Sequence, residues 1–90
     1  VQLDAAYDPD PNRVAAFCAK HGGTPYSDLT AFMRHEVDAV SVCSPVDYHD
    51  DNVLACAAAG RHVLCEKPLT NSRANAKEMQ RQMDRAGRLL

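Results

Sequence analysis

The sequence has no tryptophan, only two phenylalanines and three tyrosines, and no long run of apolar residues. No segment approaches the ~18 consecutive apolar residues of a membrane-spanning helix, and nothing at the N-terminus resembles a signal peptide. An excess of charge of one sign is also lacking, since ten Lys and Arg against twelve Asp and Glu give a formal net charge of −2. We therefore predict a protein that binds neither membrane nor nucleic acid.

The cysteines show no metal-binding or disulfide spacing. The chain has four of them and no C-x-x-C pair, and each lies in an apolar stretch rather than in a loop. This arrangement is typical of buried free thiols in a reducing compartment, so we predict no metal site and a cytoplasmic location. The cysteines are Cys18, Cys43, Cys56 and Cys65.

The 90 residues are 46% apolar, and their apolar positions alternate between strand-like and helix-like patterns. Strands are predicted at 2–7, 24–26, 37–44 and 62–65, with 37–44 buried on both faces. Helices are predicted after the cap Asp10 as far as His21, after the cap Ser27, and over 47–59 and 71–86. The inward residues of the last two helices are Val53, Leu54, Ala57 and Ala58, then Ala76, Met79, Met83 and Ala86. This alternation predicts an α/β fold with a doubly wound parallel sheet.

Polar residues follow the predicted strands, where ligands bind in sheets of this kind. Asp8 follows the first strand, Ser44-Pro45 the third, and Glu66-Lys67-Pro68 the last. Taken alone, Asp8 fits a carboxylate that holds a ribose equally well as a residue that only opens the Asp-Pro-Asp-Pro turn. Glu66 and Lys67 alone favour an ordinary solvated strand end. His49 alone favours a packed or solvated helical histidine, and His21, His35 and His62 are interpreted as structural.

Two stretches together resemble a known family. They are V-S-V-C-S-P at 40–45 with His49 after it, and A-A-G-R-H-V-L-C-E-K-P at 58–68. The opening Y-D-P-D-P-x-R agrees with the same family, so the resemblance covers essentially the whole chain. The sequence is similar to the Gfo/Idh/MocA oxidoreductases, the glucose–fructose oxidoreductase and inositol dehydrogenase group. The resemblance implies a Rossmann-like dinucleotide-binding domain.

The resemblance also implies roles for particular residues. Asp8 would hold the adenosine ribose and favour NAD, while Arg13 nearby leaves NADP open. Ser44 and Pro45 would line the cofactor, with His49 near it. The last loop would supply Glu66 to the nicotinamide ribose, Lys67 to that ribose and to the reacting substrate hydroxyl, and Pro68 to fix the turn, which it can do through a cis peptide bond.

Two parts of the family pattern do not occur in these residues. The G-x-G-x-x-G fingerprint belongs about 20 residues before the ribose carboxylate, but Asp8 has only seven residues before it. The family's second domain, for substrate and oligomerisation, is missing as well. We therefore expect residues 1–90 to be an incomplete Rossmann domain, without its first strand and Gly-rich loop, from a longer enzyme. The Leu89-Leu90 pair would begin a further strand, and these 90 residues alone should not bind NAD detectably.

The resemblance predicts an NAD(P)-dependent dehydrogenase that transfers hydride from a secondary alcohol of a sugar, cyclitol or related polyol. The intact protein would be a homodimer or homotetramer. Two alternatives stay open. One is a non-catalytic dinucleotide sensor on the same fold, which would have no need of Lys67. The other is an NAD-dependent glycoside-cleaving enzyme.

Overall fold

The computed structural model describes residues 1–90, in which helices follow strands along most of the chain. The chain divides into two compact units, 1–36 and 37–90, and each is described by itself. The first contains β1 (Ala5–Tyr7), α1 (Pro11–His21), β2 (Thr24–Tyr26) and α2 (Leu29–Arg34). The second contains β3 (Ala39–Val42), a 3-10 turn (Val46–Tyr48), α3 (His49–Ala59), β4 (His62–Cys65) and α4 (Arg73–Ala86).

In the first unit, β1 and β2 pair in parallel through the crossover helix α1. The Asp10 carboxylate accepts hydrogen bonds from the backbone N–H groups of Asn12 and Arg13, which begins α1 as predicted. Gly22 ends it at φ 89°, a backbone angle that favours glycine. An aromatic cluster of Tyr7, Tyr26, Phe32 and His35 lies beside the two strands.

In the second unit, β3 and β4 pair in parallel, with Val42 opposite Cys65 at their carboxyl ends. Helix α3 connects the two strands and packs on α4. Leu89 accepts a backbone hydrogen bond from Val63 of β4 at 2.8 Å, although residues 88–90 form no regular strand. The buried side chains of this core are Val42, His49, Val53, Cys56, Ala57, Val63, Met79 and Met83.

The predicted α/β class with parallel strands is confirmed, and β2 and β4 have the predicted bounds. The strands predicted at 2–7 and 37–44 are shorter, because their outer residues have no partner strand. Asp28 rather than Ser27 caps α2, since its carboxylate accepts from the Thr30 N–H. The helix predicted over 47–59 begins as a 3-10 turn and becomes α-helical only at His49.

The prediction that β3 is buried on both faces is wrong for these residues. Ala39 and Ser41 are exposed, and Leu64 beside them in β4 is 74% exposed. Only the face that carries Val42 and Val63 is covered, because successive side chains of a strand point to opposite faces. The inward face of α3 is also rotated from the prediction. It contains Cys56, while Leu54 is half-buried and Ala58 is exposed.

Met83 is fully buried in the core of the second unit, and its truncation should destabilise that unit. We expect Met83→Ala to lower the free energy of unfolding by about 2–5 kcal/mol, because a large core side chain is lost and a cavity remains. Gln80→Ala, on the exposed side of α4, should change it by less than about 0.5 kcal/mol. Urea unfolding measures both variants, and equal midpoints would contradict the assigned core.

Candidate functional site

The loops that follow β3 and β4 lie side by side in residues 37–90. Strand pairing places Val42 opposite Cys65, and the Glu66 N–H extends the ladder by donating to the Val42 carbonyl at 2.9 Å. Ser44-Pro45 and Glu66-Lys67-Pro68 therefore leave the same edge of one sheet. The structure brings these two predicted clusters together, because carboxyl ends of parallel strands share an edge.

The Glu66-Lys67-Pro68 loop exposes two charged side chains of opposite sign. Glu66 Oε1 accepts a hydrogen bond from the Lys67 N–H at 3.0 Å, which leaves the second carboxylate oxygen available. The Lys67 ammonium is exposed and has no ion-pair partner. The Lys67-Pro68 peptide bond is cis, as the resemblance allowed. The loop can therefore offer a cation and a carboxylate oxygen to one ligand.

Ser44 is half-buried, and its hydroxyl is engaged inside the protein. Ser44 Oγ donates to Asn52 Oδ1 of α3 at 2.6 Å. The proton of the hydroxyl is therefore used, and only its lone pairs are open to a ligand. Sequence analysis missed Asn52. It lies three residues after His49 on the same helix, and that spacing on one helical face could have indicated it.

His49 is buried, with 1% of its surface exposed. Its Nε2 lies 2.8 Å from the Ser44 carbonyl oxygen, and its Nδ1 lies 2.9 Å and 3.1 Å from the carbonyl oxygens of Pro68 and Leu69. Carbonyl oxygens only accept, so the ring nitrogen that carries the proton is the donor, and the tautomer decides which side it donates to. The ring thus joins the loop after β3 to the loop after β4. That His49 lies near the cofactor stays a prediction.

Asp8 lies at the carboxyl end of β1, in residues 1–36. Its N–H donates to the Tyr26 carbonyl at 3.1 Å, and its Oδ1 accepts from the Asp10 N–H at 2.8 Å. The guanidinium of Arg13 lies 3.9 Å from Oδ2 and is largely exposed. Asp8 therefore opens the turn, as one interpretation required, and keeps lone pairs on both oxygens for a ligand. Its binding to ribose stays a prediction.

The other histidines have local partners within the fold. The Tyr26 hydroxyl lies 2.9 Å from His35 Nδ1, and His62 Nδ1 accepts from the Leu89 N–H at 3.0 Å. The His21 ring packs on Phe17. These contacts agree with the structural roles predicted for all three histidines.

All four cysteines are free, but the prediction that they are buried is wrong for Cys43, which is exposed. Ser41 Oγ lies 3.4 Å from its sulfur at the sheet edge. Burial raises the pKa of Cys56 to about 11, although Arg61 lowers it in part. Burial, helped by Cys43 and Glu66 nearby, also raises the pKa of Cys65. No cluster of three or more His, Cys, Asp or Glu side chains is arranged to hold a metal ion.

These differences predict the order in which the thiols react. At pH 8, iodoacetamide should alkylate exposed Cys43 first, and Cys56 should stay unmodified because only about a thousandth of it is thiolate. Peptide mass spectrometry of the native protein gives the order. Raising the pH should speed the labelling of Cys65, because its pKa is raised, whereas Cys18 should stay slow because it is buried. Alkylation of Cys56 before Cys43 would contradict the assigned burial.

Each of the two sheet edges, taken by itself, has polar groups that suit a nucleotide. A ribose offers hydroxyl donors, and Asp8 and Glu66 each keep a carboxylate oxygen able to accept from them. Lys67 supplies a donor whose charge is not neutralised by a neighbouring carboxylate. Within each unit, polar groups thus stand at the carboxyl ends of parallel strands joined by a helix. This arrangement is typical of the NAD-binding Rossmann class.

The comparison with known proteins agrees with this class. The model of the oxidoreductase family with an NAD-binding Rossmann fold, GFO_IDH_MocA, matches residues 1–90. The chain belongs to this family. None of its helices has the length and hydropathy of a membrane-spanning segment.

Among curated relatives, an inositol 2-dehydrogenase of Saccharopolyspora erythraea is 42% identical, over 99% of this chain and 27% of its own length. A 4-carboxy-2-hydroxymuconate-6-semialdehyde dehydrogenase of a Sphingobium strain is 40% identical, over 81% of this chain and 22% of its own length. The chain thus spans about a quarter of the length of the curated relatives it matches.

Among solved structures, a 3-ketoreductase from Actinomadura kijaniata in complex with NADP and TDP-benzene superposes with a TM-score of 0.93 at 33% identity. The superposition covers 99% of this chain and 28% of the 3-ketoreductase chain. The WlbA dehydrogenase from Bordetella pertussis, in complex with NADH and UDP-GlcNAcA, gives 0.93 at 30% identity, with 98% of this chain and 28% of that one covered.

Proposed function

We propose that these residues are part of an NAD(P)-dependent dehydrogenase that oxidises a secondary alcohol of a sugar, cyclitol or related polyol by hydride transfer. The observation that carries the proposal is the loop after β4, which presents the unpaired Lys67 ammonium beside Glu66 at the ligand-binding edge of the sheet. The names of the relatives, an inositol dehydrogenase and a sugar 3-ketoreductase among them, support the substrate class.

In this proposal the chain supplies binding and orientation, and bound NAD(P)+ supplies the hydride acceptor. Asp8 accepts hydrogen bonds from the adenosine ribose, and Glu66 accepts one from the nicotinamide ribose. Lys67 donates a hydrogen bond to the substrate hydroxyl oxygen. Its charge stabilises the negative charge that develops on that oxygen while the hydroxyl proton passes to water or to a base in the rest of the complete protein, and the hydride of the carbinol carbon passes to NAD(P)+. Ser44, Pro45 and Pro68 line the cofactor, and the cis bond before Pro68 shapes the loop that carries Lys67.

We also propose that a larger protein completes the site. The chain spans about a quarter of its relatives, which supports an incomplete dinucleotide-binding domain together with a separate substrate and oligomerisation domain. On this view the Gly-rich loop and part of the substrate pocket come from outside residues 1–90. A homodimer or homotetramer in the cytoplasm is part of the same proposal, and the four free thiols support a reducing compartment.

Cofactor preference rests on Asp8 and Arg13. The Asp8 carboxylate repels a 2′-phosphate and so favours NAD, whereas the exposed Arg13 guanidinium nearby is able to pair with one. The solved relatives include one in complex with NADP and one in complex with NADH. We therefore propose NAD as the main cofactor, with NADP use retained.

A second substrate class has support from one relative. The Sphingobium protein is named as a semialdehyde dehydrogenase, which supports an aldehyde or its hydrate as the second candidate substrate class. The same Lys67 would then donate to the oxygen of the hydrate. The assay that tests the main proposal separates the two classes.

The test is a steady-state assay of the complete protein with NAD+ and NADP+ against inositols, pyranosides and hydroxymuconate semialdehydes. We expect reduced nicotinamide to form with a cyclitol or a pyranoside, and faster with NAD+ than with NADP+. Turnover of semialdehydes alone would favour the second class. Binding of NAD without turnover of any of these compounds would favour a dinucleotide sensor and contradict the proposal.

A further inference from the structure

His49 is the only polar side chain in the buried core. It is the first residue of α3, and its ring lies between the two loops that carry the site residues. Its contacts are all backbone carbonyl oxygens: Ser44 on the Nε2 side, and Pro68 and Leu69 on the Nδ1 side. An apolar side chain of similar size would fill this space but leave those carbonyl groups without their donor.

The two residues that His49 Nδ1 contacts, Pro68 and Leu69, directly follow Lys67 in the sequence. The Pro68 and Leu69 carbonyl groups turn inward to the ring, while the Lys67 side chain stays exposed. Glu66 is held to β3 by its backbone N–H, so the loop is bonded at Glu66 and again at Pro68 and Leu69. Lys67 lies between these two points, and the ring therefore limits where its backbone can move.

We propose that His49 is a positioning residue that ties the loop after β4 to the loop after β3 and thereby sets the place of Lys67. The role is indirect, because a ring with 1% exposure and both nitrogens beside backbone carbonyls has no free polar atom for cofactor or substrate. This inference rests on the proposed function and deepens it.

Loss of the tie should affect the chemical step more than cofactor binding. A displacement of about 1 Å in a group that orients the reacting atoms costs about 10²-fold in rate. In the complete protein we expect His49→Ala to lower kcat about 10²-fold, with the Kd for NAD changed much less. His49→Asn keeps an N–H donor near the position of Nδ1 and should recover part of kcat.

The control for a merely structural effect is Met83→Ala, which removes a buried side chain near the C-terminal end of α4, the end opposite to the loop after β4. It should lower stability while leaving kcat close to that of the wild type. If Met83→Ala and His49→Ala lower kcat equally at matched stability, His49 only supports the fold and the proposal is overturned.

A second readout needs no activity. In the cofactor-free complete protein, amide hydrogen exchange of segment 66–72 should be faster in His49→Ala than in the wild type. In His49→Asn the exchange should be slower than in His49→Ala, because one donor is kept. Unchanged exchange would overturn the tie. Faster exchange in a protein that proves to have no dehydrogenase activity would support the tie and refute the proposed function.

The wild-type protein provides a measurement that does not depend on whether a variant folds. Nitrogen-15 NMR of the His49 ring should show a proton on Nδ1, because the carbonyl oxygens of Pro68 and Leu69 beside it can only accept. An unprotonated Nδ1 would overturn the proposal, because the link to Pro68 and Leu69 would then be absent.

Discussion

Replacement of Lys67 by alanine should lower kcat of the complete enzyme by about 10²–10³-fold, the range lost when a donor that stabilises a developing negative charge is removed. The Lys67 ammonium is exposed and has no ion-pair partner. The loop after β4, residues 66–72, has no other lysine or arginine that could supply the charge. The Kd for NAD should change little, because most of the cofactor contacts in our proposal come from other residues. Steady-state kinetics and calorimetric titration measure the two quantities.

Two further lysine variants show whether the charge at position 67 is sufficient and whether loss of any exposed lysine has the same effect. Lys67→Arg keeps the charge but replaces a compact ammonium by a planar guanidinium, so it should restore only part of kcat. Lys77→Ala removes an exposed lysine of α4 in the same unit and should leave kcat unchanged. An unchanged kcat in Lys67→Ala would refute the role assigned to this residue.

Replacement of Asp8 by alanine should weaken NAD binding by about 10²-fold or more, since hydrogen bonds to a charged group contribute about 1.5–3 kcal/mol each. Two ribose hydroxyls would lose their acceptor. The change also removes the bond from the Asp10 N–H, so part of its effect is on the turn. Asp8→Asn keeps an oxygen acceptor for that N–H, and it should lower the preference for NAD over NADP because the negative charge is gone.

Asp10→Ala is the matched control for Asp8. Asp10 lies in the same turn and caps α1, so its loss should cost about 1 kcal/mol of stability. It should leave the Kd for NAD nearly unchanged. Equal losses of NAD affinity in Asp8→Ala and Asp10→Ala would mean that the turn matters and that the Asp8 carboxylate does not bind the ribose.

Local signals in the sequence were sufficient for several elements. The Asp10-Pro11 pair predicted where α1 begins, and Pro68 and Gly60 delimited β4 and the end of α3. Where two polar residues compete for a cap, sequence alone did not decide. Ser27 and Asp28 are adjacent possible acceptors, and the backbone conformation selects Asp28. The bounds of β1 and β3 depend on partner strands, which local pattern does not contain.

The site was predictable as far as topology determines it. Parallel pairing alone places Ser44 and Lys67 at one edge of the sheet. The contacts of His49 were not predictable, because its partners are backbone carbonyl groups and carry no signal in side-chain identity. The exposure of Ser41 and Leu64 was missed for a related reason. An apolar run predicts what a strand can bury, and the elements packed against it decide what is buried.

The most direct test of the central claim follows the hydrogen itself. The complete protein is mixed with NAD+ and the best polyol substrate carrying deuterium at the carbinol carbon, and the reduced cofactor is analysed by NMR. We expect deuterium at C4 of the nicotinamide ring in the wild type, and a transfer rate in Lys67→Ala lower by about 10²-fold or more. Reduced cofactor without deuterium, or equal transfer rates in the two proteins, would contradict the account.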